Sequence, residues 1–258
     1  MKKKFTAVAL SLGLALSGAT SASAGNIVLT GHDDDFHQSP EATAQASGMV
    51  AFARAGAPTP GLKVLTFDHG SDLTSLLTSL GVPFDNIDPN LGIPADGNFD
   101  VTQYSAIGVA SDTTCGGCDN DSTSSANLAG ASAAIAAFFN AGGGIFTFAA
   151  ASNSNYFDFL PATASVPGIV FCCGGFAQTA EGLANGIPAV NSDFPHNFFP
   201  FPGFGLDPLF HVFETFTGGS SVGPLTDQPF TVGMQGGGII ICAPDDTTCN
   251  GGFTPAVP

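Results

Sequence analysis

The chain reads as an α/β protein: a three-layer, doubly wound, mainly parallel sheet followed by a loop-rich C-terminal part. Three observations carry this. Between residues 25 and 155, short β-favouring runs alternate with segments of helical spacing, as expected for parallel strands joined by crossover helices. Residues 156–242 lose that period and are rich in Phe, Pro and Gly, as in "SDFPHNFFPFPGFGLDPLFHVFE", which suggests a cap and late strands packed on the core. Hydrophobic residues make up 44% of the chain, enough for a core that does not depend on disulfides, and no fixed-period repeat is visible.

The elements follow in order. "NIVLT" (26–30) is a short buried strand. Pro40 and Glu41 open a helix filled by Ala and Met. "KVLTF" (63–67) is the second strand. Ser71 is placed to cap a helix in which Leu73, Leu76, Leu77 and Leu80 form one face, and Gly81 ends it. "FDNID" and "YSAIGVA" (104–110) are the third and fourth strands. "SSANLAGASAAIAAFFNAGGG" predicts one long helix closed by glycines, and "IFTFAAA" the fifth strand. "PFTVGM" and "GGGIIICA" read as late strands, joined as a hairpin through the glycines near 235–238. The core spans 25–155 within a single domain of 25–242, and 243–258 is a tail stapled by a disulfide.

The first 24 residues read as an export signal: Lys2, Lys3 and Lys4, then the apolar "FTAVALSLGLAL", then "ASA" before Gly25. Their removal leaves about 234 of the 258 residues, periplasmic or extracellular, with no stretch suited to a membrane span. Only Arg54 and Lys63 then oppose 21 acids, a net charge of −19. Such a surface repels phosphate backbones and favours cations, which excludes nucleic acid as a partner. All six cysteines (Cys115, Cys118, Cys172, Cys173, Cys242 and Cys249) lie in the exported part and favour disulfides, with fifteen connectivities open. "CAPDDTTC" reads as a local staple. "CGGC" lacks the strand-then-helix setting of a redox motif and reads as a structural bridge, or as partner to Cys172 and Cys173.

In an open parallel sheet, ligands bind beyond the carboxyl ends of the strands. There the sequence places His32, Asp33, Asp34, Asp35 and His37 after the first strand. Asp68, His69 and Asp72 follow the second, and Ser111 and Asp112 the fourth. Carboxylates crowded together need a cation or protons between them. Oxygen donors suit calcium, and added imidazole moves the preference toward zinc. The candidate metal ligands are His32, Asp35, His37, Asp68, His69 and Asp112, with His196 reaching over from the cap. Turn formation and helix capping are the competing role for the same aspartates. His211, in "LFHVFE", reads as a strand-face residue, with Glu214 near enough to leave a base role open. "CDNDSTSS" lacks the glycine and glutamate of an EF-hand. No P-loop or dinucleotide fingerprint occurs, so no nucleotide cofactor is expected.

"LGVPFDNIDPN", "FDVTQYSAIGVASD" and "AAIAAFFNAGGGIFTFAAAS" together resemble the core of the class I glutamine amidotransferase-like superfamily, nearest in style to its ThuA-like branch. "GIPAVNSDFPHNFF" is similar to a later segment of that branch. The resemblance implies a flavodoxin- or amidotransferase-like sheet. Where that superfamily carries its nucleophilic cysteine stand Ala149, Ala150 and Ala151, so glutamine hydrolysis is not implied. A shorter resemblance, "VLTGHDDDFH" with "KVLTFDHG", is to LmbE-like (PIG-L) zinc deacetylases. It implies His32, Asp35 and His196 as zinc ligands and Asp34 as the base. Phe36 replaces that family's next acid, and its later H-x-D-H signature is absent.

The expected function is therefore an exported protein binding a divalent cation, zinc or calcium, or a small polar ligand. The alternatives are a metal-dependent deacetylase acting on a cell-envelope glycan and a calcium-stabilised matrix protein. The ending "TPAVP" resembles the start of the Val-Pro-Glu-Pro stretch of a PEP-CTERM tail, which implies a truncated, surface-sorted chain.

Overall fold

A computed structural model describes residues 24–94, 99–112, 120–171, 174–192 and 196–236. The expected export signal up to residue 23, all six cysteines and the tail lie outside these residues. Eight strands form one sheet: β1 (Asn26–Thr30), β2 (Lys63–Phe67), β3 (Phe84–Ile87), β4 (Tyr104–Val109), β5 (Gly144–Thr147), β6 (Phe176–Gln178), β7 (His211–Gly218) and β8 (Leu225–Gln235). Their order across the sheet is β3-β2-β4-β5-β1-β8-β7-β6. The first five run parallel. The last three join antiparallel, β8 pairing with β1 along its full length.

Helix α1 (Pro40–Ala55) starts where Ser39 accepts the N–H of Ala42 and Pro40 fills the first turn. It buries Ala42, Gln45, Ala46, Met49, Val50 and Ala53, one stripe of a 3.6-residue period. In α2 (Asp72–Ser79), Ser71 makes no side-chain cap. Asp68, from the end of β2, accepts the N–H of Thr74 instead. The single long helix expected after β4 is two, α3 (Ser122–Gly130) and α4 (Ser132–Asn140), with Ala131 between them off helical geometry. Gly130 costs helix stability at this point, and the Ala131 N–H turns back to Leu128. A short α5 (Ala180–Ala184) follows β6.

One buried cluster joins side chains of α1 and α2 to Val28, Val64, Ala106, Phe146 and Phe148. Another joins α3 and α4 to Ile27, Leu29, Leu65, Ile107 and Ile145, the alternate residues of the same strands. Phenylalanine dominates both, and a third cluster holds Phe176, Phe198, Phe216 and Phe230. The late strands correct the sequence reading. "PFTVGM" lies in β8, but its hairpin partner is β7, around the turn at Ser220–Gly223. The second half therefore extends the sheet itself, and "GGGIIICA" from residue 237 onward lies outside the described residues.

Asp121 caps α3, accepting the N–H groups of Thr123 at 2.7 Å and Ser124 at 3.1 Å, and Ser124 Oγ accepts the Asp121 N–H in return. Asp121→Ala is expected to lower stability by about 1 kcal/mol. Urea unfolding should show a lower midpoint at unchanged slope.

Candidate functional site

The site begins at the carboxyl end of β1. Gly31 continues the pairing with β8 by donating to the Phe230 carbonyl, and its own carbonyl accepts the N–H groups of His196 and Asn197. A Cβ at Gly31 would stand 1.8 Å from the Asn197 carbonyl oxygen, so this approach requires glycine. The chain then turns: the N–H groups of Phe36 and His37 both reach the Asp33 carbonyl, at 2.9 and 3.0 Å. That turn puts Asp33 and His37 on one side, four residues apart, while Gly31 brings His196 in from the other.

Asp33 Oδ2 lies 3.0 Å from His196 Nε2 and 3.6 Å from His37 Nε2. Ligand atoms of all three residues fall within 4.8 Å of one another, the arrangement of a group that can hold a metal ion. The carboxylate is fully buried, whereas the side chains of His196 and His37 are 24% and 32% exposed. The histidines thus form the mouth and the carboxylate the floor, with the Phe36 ring, partly exposed, against His37.

Charge gives this arrangement its meaning. Asp33, Asp34 and Asp35 are all fully buried. The described residues contain one arginine and one lysine. Arg54 donates to Ser105 and the Leu62 carbonyl, and Lys63 to Asp85. Neither Asp33 oxygen receives a hydrogen bond of good geometry, and the side chains found facing it are the imidazoles of His37 and His196. A carboxylate removed from water without compensation is strongly disfavoured.

The other sequence-derived candidates are placed elsewhere. His32, although next to Asp33, turns its ring away to Glu214, with Nε2 at 3.3 and 3.2 Å from the two carboxylate oxygens, and packs against Phe176 and Phe230. Asp35 accepts the Ser111 N–H at 2.8 Å and so ties the β1 loop to the end of β4. Asp68 caps α2. His69 pairs with Asp88 at 2.9 Å in a partly exposed position. Asp112 accepts from Ser125 and Asn153, both at 2.8 Å. Asp34 is buried beside the cluster but outside it. Of the expected ligands, only His37 and His196 meet at one point. The third member is Asp33, an acid that sequence alone could not distinguish from its two neighbours.

Two more features depend on the fold. Ala149 and Ala150, just beyond β5, serve through their backbone. Ala149 donates to the His32 carbonyl and accepts from Asp112, and Ala150 donates to Asn197 Oδ1. Ala151 has a positive φ of 44°, an uncommon conformation for a residue with a Cβ. Glu214 was legible as an acid in an apolar strand, but its partner is not His211. Bulges on either side of Glu214 place it and Phe213 both inward, and His211 pairs with Glu181 at 2.7 Å on the surface.

Glu41, in the first turn of α1, accepts the N–H groups of Asn191 and Ser192 at 2.8 and 3.0 Å, just before the segment bearing His196. These bonds hold its carboxyl below the ordinary value of 4.5. The clamp is therefore complete above about pH 4.5 and is lost as pH falls through the lowered native value. Thermal melting across that acid range should fall more steeply for the native chain than for Glu41→Gln. No family model matches this chain, and neither a curated protein nor a solved structure is significantly similar to it.

Proposed function

We propose that this protein binds a divalent transition-metal ion through Asp33, His37 and His196, and that zinc is the best match. The observation that carries the reading is a buried carboxylate faced by two partly exposed imidazoles, while the one arginine and one lysine of the described residues are committed elsewhere. Two nitrogens and one oxygen suit zinc better than calcium, which takes six to eight oxygens. Ligand atoms about 2.0–2.1 Å from a tetrahedral ion lie about 3.3 Å apart, and the 3.0 and 3.6 Å separations at Asp33 bracket that value. The export reading of the first 24 residues adds a periplasmic or extracellular setting. The division of helices between two buried clusters supports a three-layer, doubly wound core.

Purified protein should carry, or take up, one zinc per chain. At zinc concentrations about 100-fold over Kd, binding should add about 2.7 kcal/mol of stability. Asp33→Asn and His196→Ala should each weaken binding by at least about tenfold. Absence of uptake, with melting unchanged by either zinc or chelator, refutes the reading. Calcium uptake indifferent to these substitutions would favour the matrix-protein alternative.

A hydrolase reading rests on the number of ligands: three protein donors leave a fourth zinc position for water, as in catalytic rather than structural sites. An ion held by Asp33, His37 and His196 would supply water activation for amide hydrolysis, and Asp34, the adjacent buried carboxylate, would be the group to take up a proton. N-acetylated glycan oligomers are the substrates to assay. Release of acetate that requires zinc and is lost in Asp34→Asn is expected, and equal release by that variant removes Asp34 from the role.

A further inference from the structure

Glu214 is a heavily engaged buried acid outside the proposed ligand set. It is fully buried on β7. Its carboxylate receives Gln45 Nε2 from α1 at 2.9 Å, Thr231 Oγ1 from β8 at 2.6 Å and the Val190 N–H at 2.8 Å. His32 Nε2 lies within 3.3 Å of both oxygens. Around this core, Thr30 Oγ1 contacts Thr231 Oγ1 and Gln45 Oε1 and accepts the His32 N–H. Three donors and the His32 ring thus converge on one buried carboxyl group.

The donors come from both segments that converge on the proposed metal site. His32 immediately precedes Asp33, and its ring is wedged between Phe176 and Phe230, at centroid distances of 4.7 and 4.5 Å. Val190 lies on the segment leading to His196, next to the residues clamped by Glu41. We infer that Glu214 is the positioning residue of the site: by holding His32 and Val190 on one carboxylate, it sets the separation of Asp33 from His196. This rests on the metal-binding reading. Glu214 itself touches neither His37 nor His196 in the described contacts and is not proposed as a ligand.

Glu214→Gln preserves size but replaces one accepting oxygen by an NH2 group facing donors on every side. Cobalt(II) is the probe, since its visible absorption reports ligand geometry. Relative to the unsubstituted chain, Glu214→Gln should weaken cobalt binding by about 10–100-fold and alter the shape of the cobalt spectrum. Asp121→Ala, which destabilises the fold through the cap of α3 and contacts none of the three proposed ligands, should change neither. Equal affinity and spectrum in Glu214→Gln overturn the inference. Should Glu214→Gln fail to fold, Thr231→Val removes one donor at nearly constant shape and should weaken cobalt binding by about 2–10-fold, and an unchanged affinity there counts equally against it. If the unsubstituted chain binds no cobalt, the metal reading falls separately. Glu214 is then read by the ring 15N shifts of His37 and His196 at fixed pH. These should move in Glu214→Gln or Thr231→Val but not in Asp121→Ala, and shifts that stay put reject the positioning role.

Discussion

The structure hangs on the pairing of β1 along both of its edges. On one side β5 runs parallel to it, and on the other β8 runs antiparallel. All five residues of β1 are buried, so its backbone polar groups must be satisfied by its neighbours. The strand is thus the seam between the parallel and antiparallel parts of the sheet, and its carboxyl end is where loops from both parts must meet. Gly31 makes the meeting possible. Its carbonyl takes two N–H groups from residues 196 and 197, at an approach that a Cβ would block.

The second constraint is electrostatic. A chain this acidic and this poor in lysine and arginine has few ways to bury carboxylates, yet Asp33, Asp34, Asp35, Asp68, Asp112 and Glu214 are all buried. Most of the solutions visible here use neutral donors. Asp35 takes a backbone N–H, Asp68 a helix N-terminal N–H, Asp112 a hydroxyl and an amide, and Glu214 a hydroxyl, an amide and a backbone N–H beside His32. These bonds bind loops to neighbouring strands and helices, so the acids act as cross-links. Asp33 differs in being faced by two imidazoles that also reach solvent. That difference in partners, rather than the density of acids, singles it out as the floor of the proposed cation site.

The Phe-rich second half supplies the apolar part of this design. Phe176, Phe216 and Phe230 form a cluster with ring centroids 4.8–6.0 Å apart, and the His32 ring packs into it. Aromatic packing of this sort fixes a ring's orientation while a single polar contact satisfies its nitrogen. Residues that look like composition bias in the sequence therefore orient an imidazole at the edge of the site. The sheet positions it too, because β7 and β8 carry Glu214, Thr231 and Phe230 in one fabric with β1.

Local chemistry was enough to read much of this molecule. Apolar runs and helical spacing located the five parallel strands, α1 and α2, because each buries a face whose period is written in adjacent residues. The acid-rich ends of β1, β2 and β4 were legible for the same reason. What only the tertiary structure decided was partnership. Asp33 was chosen over Asp34 and Asp35 by a turn that faces it toward His37 and by a loop arriving from residue 196, more than 160 positions away. Glu214 was assigned to His32 rather than to nearby His211 by bulges that turn two successive residues of β7 inward. Side-chain periodicity records which face a residue occupies, but contacts across a sheet depend on strand order and register, and these are set by the packing of the whole chain.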